Sequence, residues 1–470
     1  MADKDIIIKR KIKPDYTRVY AVIVFLLLVY FMLRYLNDGL WYSVYSVYYL
    51  YLTPILVAFS LYFKRLREPA EVKLLFLYCL WVYITRLLNG DYFLTYDAGV
   101  LLDICVDCVF LTVCVGLRAR DRQRFLDVIS FVVAGYYTLL ALAGLYGVIL
   151  KRELHIPFSW ESLVEFEGDM SRLSIFGVHP NICGLWFLIS FFLLLYLFLR
   201  NRNIIWRIGT VLAAAVNYFA ISMTFSRNTE LAFSGGAVLL IALGIMKLKP
   251  CKRMSSKLLV TLVTVLIAVP LIYLSFTGAT GLVRVASEKA VSAVTQEQTE
   301  MPGQGSTDSG STASGDDTAY VDTRGFDDSS RIIIFKSLFT TMQREPIRLL
   351  RGSLYQDMMS VAYSVLPVSI SHFHNTYLQV LAYTGIVGLL IVLAFCIMLA
   401  VKVIKLYFSD GPLSLKVLSM IIAASLSYNI LERDLFIITD FRAVIFFVIA
   451  GALLAWFRDE AHKTLGEETD

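Results

Sequence analysis

Apolar stretches of about 17–25 residues recur along this chain, and that length is what a helix needs to cross a hydrocarbon core of about 30 Å. Backbone polar groups in hydrocarbon must be satisfied within the chain, so each stretch is expected to be a helix. We read about twelve spans, at 19–36, 41–63, 73–90, 97–117, 125–149, 182–200, 206–225, 229–247, 257–277, 376–401, 414–431 and 437–456. Composition agrees. Of 470 residues, 57% are hydrophobic and 17% charged, against about half and a quarter in soluble domains. The expected fold class is all-α, a polytopic integral membrane helical bundle, and a string of soluble domains is excluded. Nothing points to nucleic acid as a partner.

The loops alternate in charge. One set holds most of the 43 Lys and Arg, including Lys9, Arg10, Lys11, Lys64, Arg65, Arg118, Arg120, Arg122, Lys249, Lys252, Arg253, Lys402 and Arg458. Short basic loops stay in the cytoplasm. Both termini are therefore expected there, with 1–18 and 457–470 as cytoplasmic segments. The first span lacks a small-residue cleavage site and is followed directly by another span, so it reads as an anchor rather than a signal peptide.

Spans 1–9 fill 19–277 and spans 10–12 fill 376–456, leaving 278–375 as a large extracytoplasmic loop. Its part at about 296–330 is Gly-, Ser- and Asp-rich and too polar to pack, so disorder is expected there. After it, 331–350 carries Ile332, Phe335, Leu338, Phe339 and Met342 on one helical face, which predicts an amphipathic helix at the outer interface. Seven cysteines, none in the outer loops, exclude structural disulfides there.

Polar residues that could carry chemistry collect at the outer ends of spans. They fall in 'RLSIFGVHPNICG' (172–184), 'TFSRNTEL' (224–231) and 'SHFHNTYLQVLAYTGIVG' (371–388). Each segment puts a basic or imidazole group at a helix mouth, and Asn181 and Asn375 are placed to cap free N–H groups. In a compact bundle these segments, with Arg331, converge on one site.

'HPN' before a span, 'SR' after one and a long outer loop ending 'HNTYLQ…GIVG' resemble the O-antigen polymerase/ligase superfamily, which includes Wzy-type polymerases and lipid A–core ligases. His374 with Gly385 fits that superfamily's His-x10-Gly pattern, and Arg227 with Leu231 fits its Arg-x3-Leu pattern. Arg172 departs from the polymerase Arg-x10-Gly pattern, because one residue too many precedes Gly184. The resemblance implies a membrane glycosyltransferase in the bacterial cytoplasmic (inner) membrane. Its donor would be a glycan on undecaprenyl diphosphate, and a polysaccharide chain-length regulator is a candidate partner. Polymerisation of capsular, O-antigen or exopolysaccharide repeats comes first, and ligase-type transfer to another acceptor second.

That chemistry suits the residues. Departure of a lipid diphosphate leaves charge that fixed cations must meet, and the planar fork of arginine binds phosphate oxygens bidentately. Arg227 is the candidate catalytic cation, with Arg172 and Arg331 as further diphosphate contacts. His374 is the candidate base for the acceptor hydroxyl. His179, Asn181 and Asn375 complete the expected substrate-binding set. No cofactor or metal is called for.

Bland readings compete at several positions. Arg172 and Arg331 can be solvated loop charges, His374 an interfacial helix cap, and Glu432 with Arg433 a local ion pair. Asp103 and Asp107, one turn apart within a span, read as polar contacts to Arg86 rather than a proton path, although buried charge is often functional. Cys105 and Cys108 lack the second pair a zinc site needs. From another class, a transporter of the same lipid-linked glycan should carry its polar groups at the bilayer midplane, often in repeated halves. Here most lie at span ends and no repeat is visible.

Overall fold

The computed structural model describes residues 16–33, 55–58, 66, 68–90, 96–150, 153–155, 162–167, 172–176, 178–248, 254–299, 328–353, 373–430, 432, 435–436 and 441–464. The described chain is a helical bundle. Its helices are α1 (Tyr16–Leu33), α2 (Ala70–Leu88), α3 (Tyr96–Gly116), α4 (Ala119–Leu150), α5 (Pro180–Arg200), α6 (Ile204–Met223) and α7 (Arg227–Leu248), followed by α8 (Met254–Thr299), α9 (Asp328–Arg344), α10 (Pro346–Arg351), α11 (Thr376–Phe408), α12 (Leu413–Tyr428) and α13 (Phe441–Thr464). Among the described residues, eight helices are long and apolar enough to cross a membrane, and α12 is a shorter apolar helix. The span read at 41–63 falls mostly outside the described residues.

α13 is the centre of the bundle. Its residues from Phe441 to Ala455 are all buried, and it packs against α1, α3, α5, α11 and α12. A helix apolar on every side belongs in an interior. By contrast α6 and α8 leave Ile205, Val211, Leu212, Leu262, Leu266 and Leu274 exposed, as helices facing lipid do.

At the end of the bundle where α4 begins and α13 finishes, ion pairs cross between helices. Arg18 meets Asp121 at 2.9 Å and Arg122 meets Asp459 at 2.6 Å, while Arg200 meets Asp127 at 3.3 Å and Lys402 meets Glu71 at 3.2 Å. The opposite end gathers the starts of α5, α7, α11 and α13, and it carries the candidate site.

Three expectations change. The segment between α4 and α5 is not all loop. β1 (Leu154–His155), β2 (Ser162–Glu167) and β3 (Arg172–Ile175) form a small antiparallel sheet in the order β1-β2-β3. Val164 pairs with Ile175 and Phe166 with Leu173. Leu173 and Ile175 are buried, which fixes β3 against the bundle.

The ninth span was expected to end near 277, yet α8 continues to Thr299, 46 residues in all. Ser287 Oγ donates to Val148 O at 3.2 Å, so the extension leans on the end of α4. The tract expected to be disordered therefore begins inside α8 and ends inside α9, and the part between them, 300–327, lies outside the described residues.

The amphipathic helix expected over 331–350 is two helices. Pro346 disfavours helical geometry at the residue before it, and Glu345 accordingly has φ −127° and ψ 77°. The buried face of α9 is Ile334, Leu338 and Met342, packed on Phe373, Leu381 and Ala382. Phe339 is 48% exposed. The helix is thus docked on α11 through Leu338 and Met342 of the face read in the sequence, with Phe335 partly buried beside them, while Ile334 joins that face and Phe339 turns outward.

Candidate active site

Four short segments build the site, each held by backbone-directed bonds. In the first, β3 ends in Phe176 and the chain reaches α5 through His179. His179, not Asn181, caps α5: its Nδ1 accepts from Asn181 N at 3.2 Å. That frees the Asn181 side chain to act as a bridge. Arg172 donates to Asn181 Oδ1 at 3.1 Å, and Asn181 Nδ2 donates to Glu432 Oε1 at 2.8 Å.

The second segment is the turn between α6 and α7, residues 224–226. Arg172 Nε donates to Thr224 O at 3.2 Å, tying the turn to β3. The turn and the start of α7 sit tightly on α5, since a Cβ at Gly184 would lie 3.0 Å from Thr224 Oγ1 and 2.6 Å from Thr229 Oγ1. Ser226 is buried and Thr229 donates to it through both its backbone N–H and its hydroxyl. Arg227, the first residue of α7, is exposed, so its guanidinium is held by position rather than by burial.

The third segment is Phe373–His374–Asn375 ahead of α11. Asn375 caps the helix, accepting from Leu378 N at 2.9 Å, and donates to Ile430 O at 2.6 Å. Phe373 N donates to Gln379 Oε1 at 3.0 Å. The fourth, residues 429–436, is joined to the third by Thr376, whose N–H donates to both Asn429 O and Glu432 O at 3.0 Å. These bonds set His374 Nδ1 3.6 Å from Glu432 Oε2.

Glu432 is thus the hub of the site. Its side chain is only 12% exposed, and burial alone would push its carboxyl up. The His374 imidazole 3.6 Å away, the bond from Asn181 and the nearby His179 outweigh that and hold it below the usual carboxylate range. A chain of four side chains results: Arg172, Asn181, Glu432 and His374.

The backbone at this end is unusual. Among the described residues the non-glycine residues with positive φ are Phe176 (54°), Phe225 (48°), His374 (48°) and Phe436 (69°). One falls in each of the four segments. Such conformations cost about 1–3 kcal/mol each and persist where surrounding structure over-determines them. Phe176 and Phe436 are buried, which supplies that constraint.

Arg331 lies on α9, one turn before Ile334 and on the helix that packs beside Phe373. His372 and Arg433 lie outside the described residues. Arg86, Asp103 and Asp107 are all buried, together with Arg442 at the start of α13. Cys105 has its closest thiol neighbour in Cys79 of α2, at 3.3 Å, rather than in Cys108.

Gly385 has a clear structural task. It breaks α11 with φ 68° and ψ −171°, a region essentially reserved for glycine. Gly352, with φ 75° and ψ −166°, faces it. A Cβ on Gly385 would stand 2.3 Å from Leu350 O, and one on Gly352 would stand 2.2 Å from Tyr383 O. Carbonyls opened by the break are satisfied from outside the helix: Ser353 N donates to Ala382 O at 3.1 Å and Trp81 Nε1 to Thr384 O at 2.7 Å.

Residues 208–393 match the family model described as O-antigen ligase (Wzy_C). This segment falls within the O-antigen polymerase/ligase superfamily. It contains Arg227, Arg331, His374, Asn375 and Gly385, while Arg172, His179, Asn181 and Glu432 lie outside it. No curated protein matches the chain. Residues 208–393 are thus similar to a family of O-antigen ligases, and they sit in a chain whose described helices are long and apolar enough to cross a membrane several times.

Proposed function

We propose that the protein polymerises oligosaccharide repeat units carried on undecaprenyl diphosphate, with the His374 end of the bundle outside the cytoplasmic membrane and both termini inside. The observation that carries this reading is the His374–Glu432 pair set beside an arginine-bearing turn. A carboxylate facing Nδ1 favours the tautomer protonated there, leaving Nε2 to accept the proton of an attacking hydroxyl. The hydroxyl oxygen then bonds to the anomeric carbon as the carbon–oxygen bond to the diphosphate breaks. Charge developing on the leaving diphosphate is met by Arg227, with Arg172 and Arg331 as further contacts.

Ligase-type transfer is the second reading, favoured by the description of the matching family and by the extra residue between Arg172 and Gly184. Protein in lipid nanodiscs supplied only with lipid-linked repeat units separates the two. Polymerase activity lengthens the glycan on its lipid. If nothing lengthens until a different acceptor lipid is added, the enzyme is a ligase. A polysaccharide chain-length regulator is a proposed partner of the polymerase, testable by co-purification.

A further inference from the structure

At the end of the bundle opposite His374, a cavity of about 640 Å³ opens between α5, α7, α8 and the α11–α12 turn. Its walls are apolar, with Phe198 from α5 and Leu243 and Gly244 from α7. One edge is charged and carries Lys257, Lys416 and Asp410. Both lysines are anchored at the C-terminus of α11, where cations oppose the helix dipole. Lys257 Nζ donates to Phe408 O at 2.7 Å. Lys416 Nζ donates to Tyr407 O at 3.2 Å and also to Ser409 O.

An ammonium has three N–H donors. Lys416 spends two on these carbonyls and Lys257 one, so three N–H groups remain for a ligand. Two ammonium groups against the one carboxylate of Asp410 leave a single positive charge. That matches the single negative charge of a phosphodiester. Capping the end of a helix does not require a cavity beside the cap, and a free anion does not require walls of Phe and Leu. A molecule with a phosphodiester at one end and an acyl chain at the other uses both features.

We propose that this cavity binds one anionic phospholipid, its phosphodiester against Lys257 and Lys416 and an acyl chain along Phe198 and Leu243. The site lies at the end of the bundle carrying the ion-paired basic residues, where lipid headgroups of one leaflet meet the protein. Basic pockets between membrane helices recognise acidic headgroups in this way.

Full-length protein in a neutral detergent tests the proposal. Native mass spectrometry and thermal unfolding are followed with phosphatidylglycerol, with phosphatidylcholine and with inorganic phosphate. Phosphatidylglycerol is expected to be retained at least tenfold better than phosphatidylcholine and to raise the unfolding midpoint. Lys257→Gln should abolish that preference. Gly244→Phe is the second variant: a Cβ there meets open space, so the ring fills the groove while both ammonium groups stay. It should lose phosphatidylglycerol retention altogether. Equal retention of the two lipids, retention unchanged in both variants, or an equal midpoint rise with phosphate alone would each overturn the proposal.

Discussion

Glu432 holds His374 with one carboxylate oxygen, 3.6 Å from Nδ1, and Asn181 with the other, at 2.8 Å. Two distant parts of the chain are thereby fixed to one acid. If the pair works as proposed, Glu432→Gln should lower turnover about 100-fold, the lower end of the range for acid–base assistance. Retention of lipid-linked donor should change little. Equal losses of donor retention and turnover would show that Glu432 serves binding instead.

The same carboxylate predicts a pH dependence of stability. Its folded-state pKa is depressed, so it contributes stability that is present above the unfolded value of about 4.3. That contribution is lost as pH falls through the lower, folded value. Thermal midpoints of the wild type and Glu432→Gln should differ at pH 7 and converge below about pH 4. A gap that stays constant down to pH 3 would contradict the sign.

Arg172 and Arg227 should separate in their effects. Arg172 bonds to Thr224 O and Asn181 Oδ1, and hydrogen bonds from a charged donor contribute about 1.5–3 kcal/mol. Arg172→Lys should therefore lower the thermal midpoint as well as activity. Arg227 is exposed at the start of α7, so Arg227→Lys should leave the midpoint unchanged while product falls and lipid-linked substrate accumulates. Full activity of Arg227→Lys would remove it from the diphosphate clamp.

His374 adopts a left-handed backbone, with φ 48°, which asparagine tolerates better than alanine. His374→Asn should keep the wild-type thermal midpoint and lose about 10²–10⁴-fold in turnover. Near-normal chain extension by this variant would make His374 a structural residue.

The bundle was legible in the sequence because long apolar runs leave few alternatives in a membrane. The segments around Arg172, His179, Arg227 and His374 were legible too, since polar groups beside helix starts stand out against apolar spans. Glu432 was passed over for a physical reason. Its neighbour Arg433 offers a local ion pair, and nothing in 'NILERDLF' reveals a bond to Asn181, 251 positions away. The small sheet had a readable signal in 'VEFE' and 'RLSI', which alternate apolar and polar residues. The extension of α8 was hidden because hydropathy falls after 277 while helical geometry continues. On α9 the helical pattern did give Leu338 and Met342 of the docked face, whereas their partners Phe373 and Leu381 lie beyond any local pattern.

Gly385→Ala should destabilise the protein more than most single methyl additions. The backbone there suits only glycine, and the new methyl would meet Leu350 O. A lowered thermal midpoint and easier proteolysis near Gly352 are expected, whereas an unchanged midpoint would mean that α10 relaxes without cost.

The break at Gly385 also has a mechanical consequence. It divides α11 into a short rod that begins at the Asn375 cap and a long rod that runs to Phe408. The short rod is pinned at its start by Thr376 to Asn429 and Glu432, and at its foot by Ser353 and Trp81. Membranes differ in thickness, and a spanning helix adjusts by tilting. In this chain the non-helical geometry at Gly385 separates the two rods, so a lean of the long rod together with the helices it is tied to is expected to reach the short one only weakly. The spacing between His374 and Glu432 is therefore expected to depend little on bilayer thickness, and a change of lipid length should alter the lean of α11 before it alters the site.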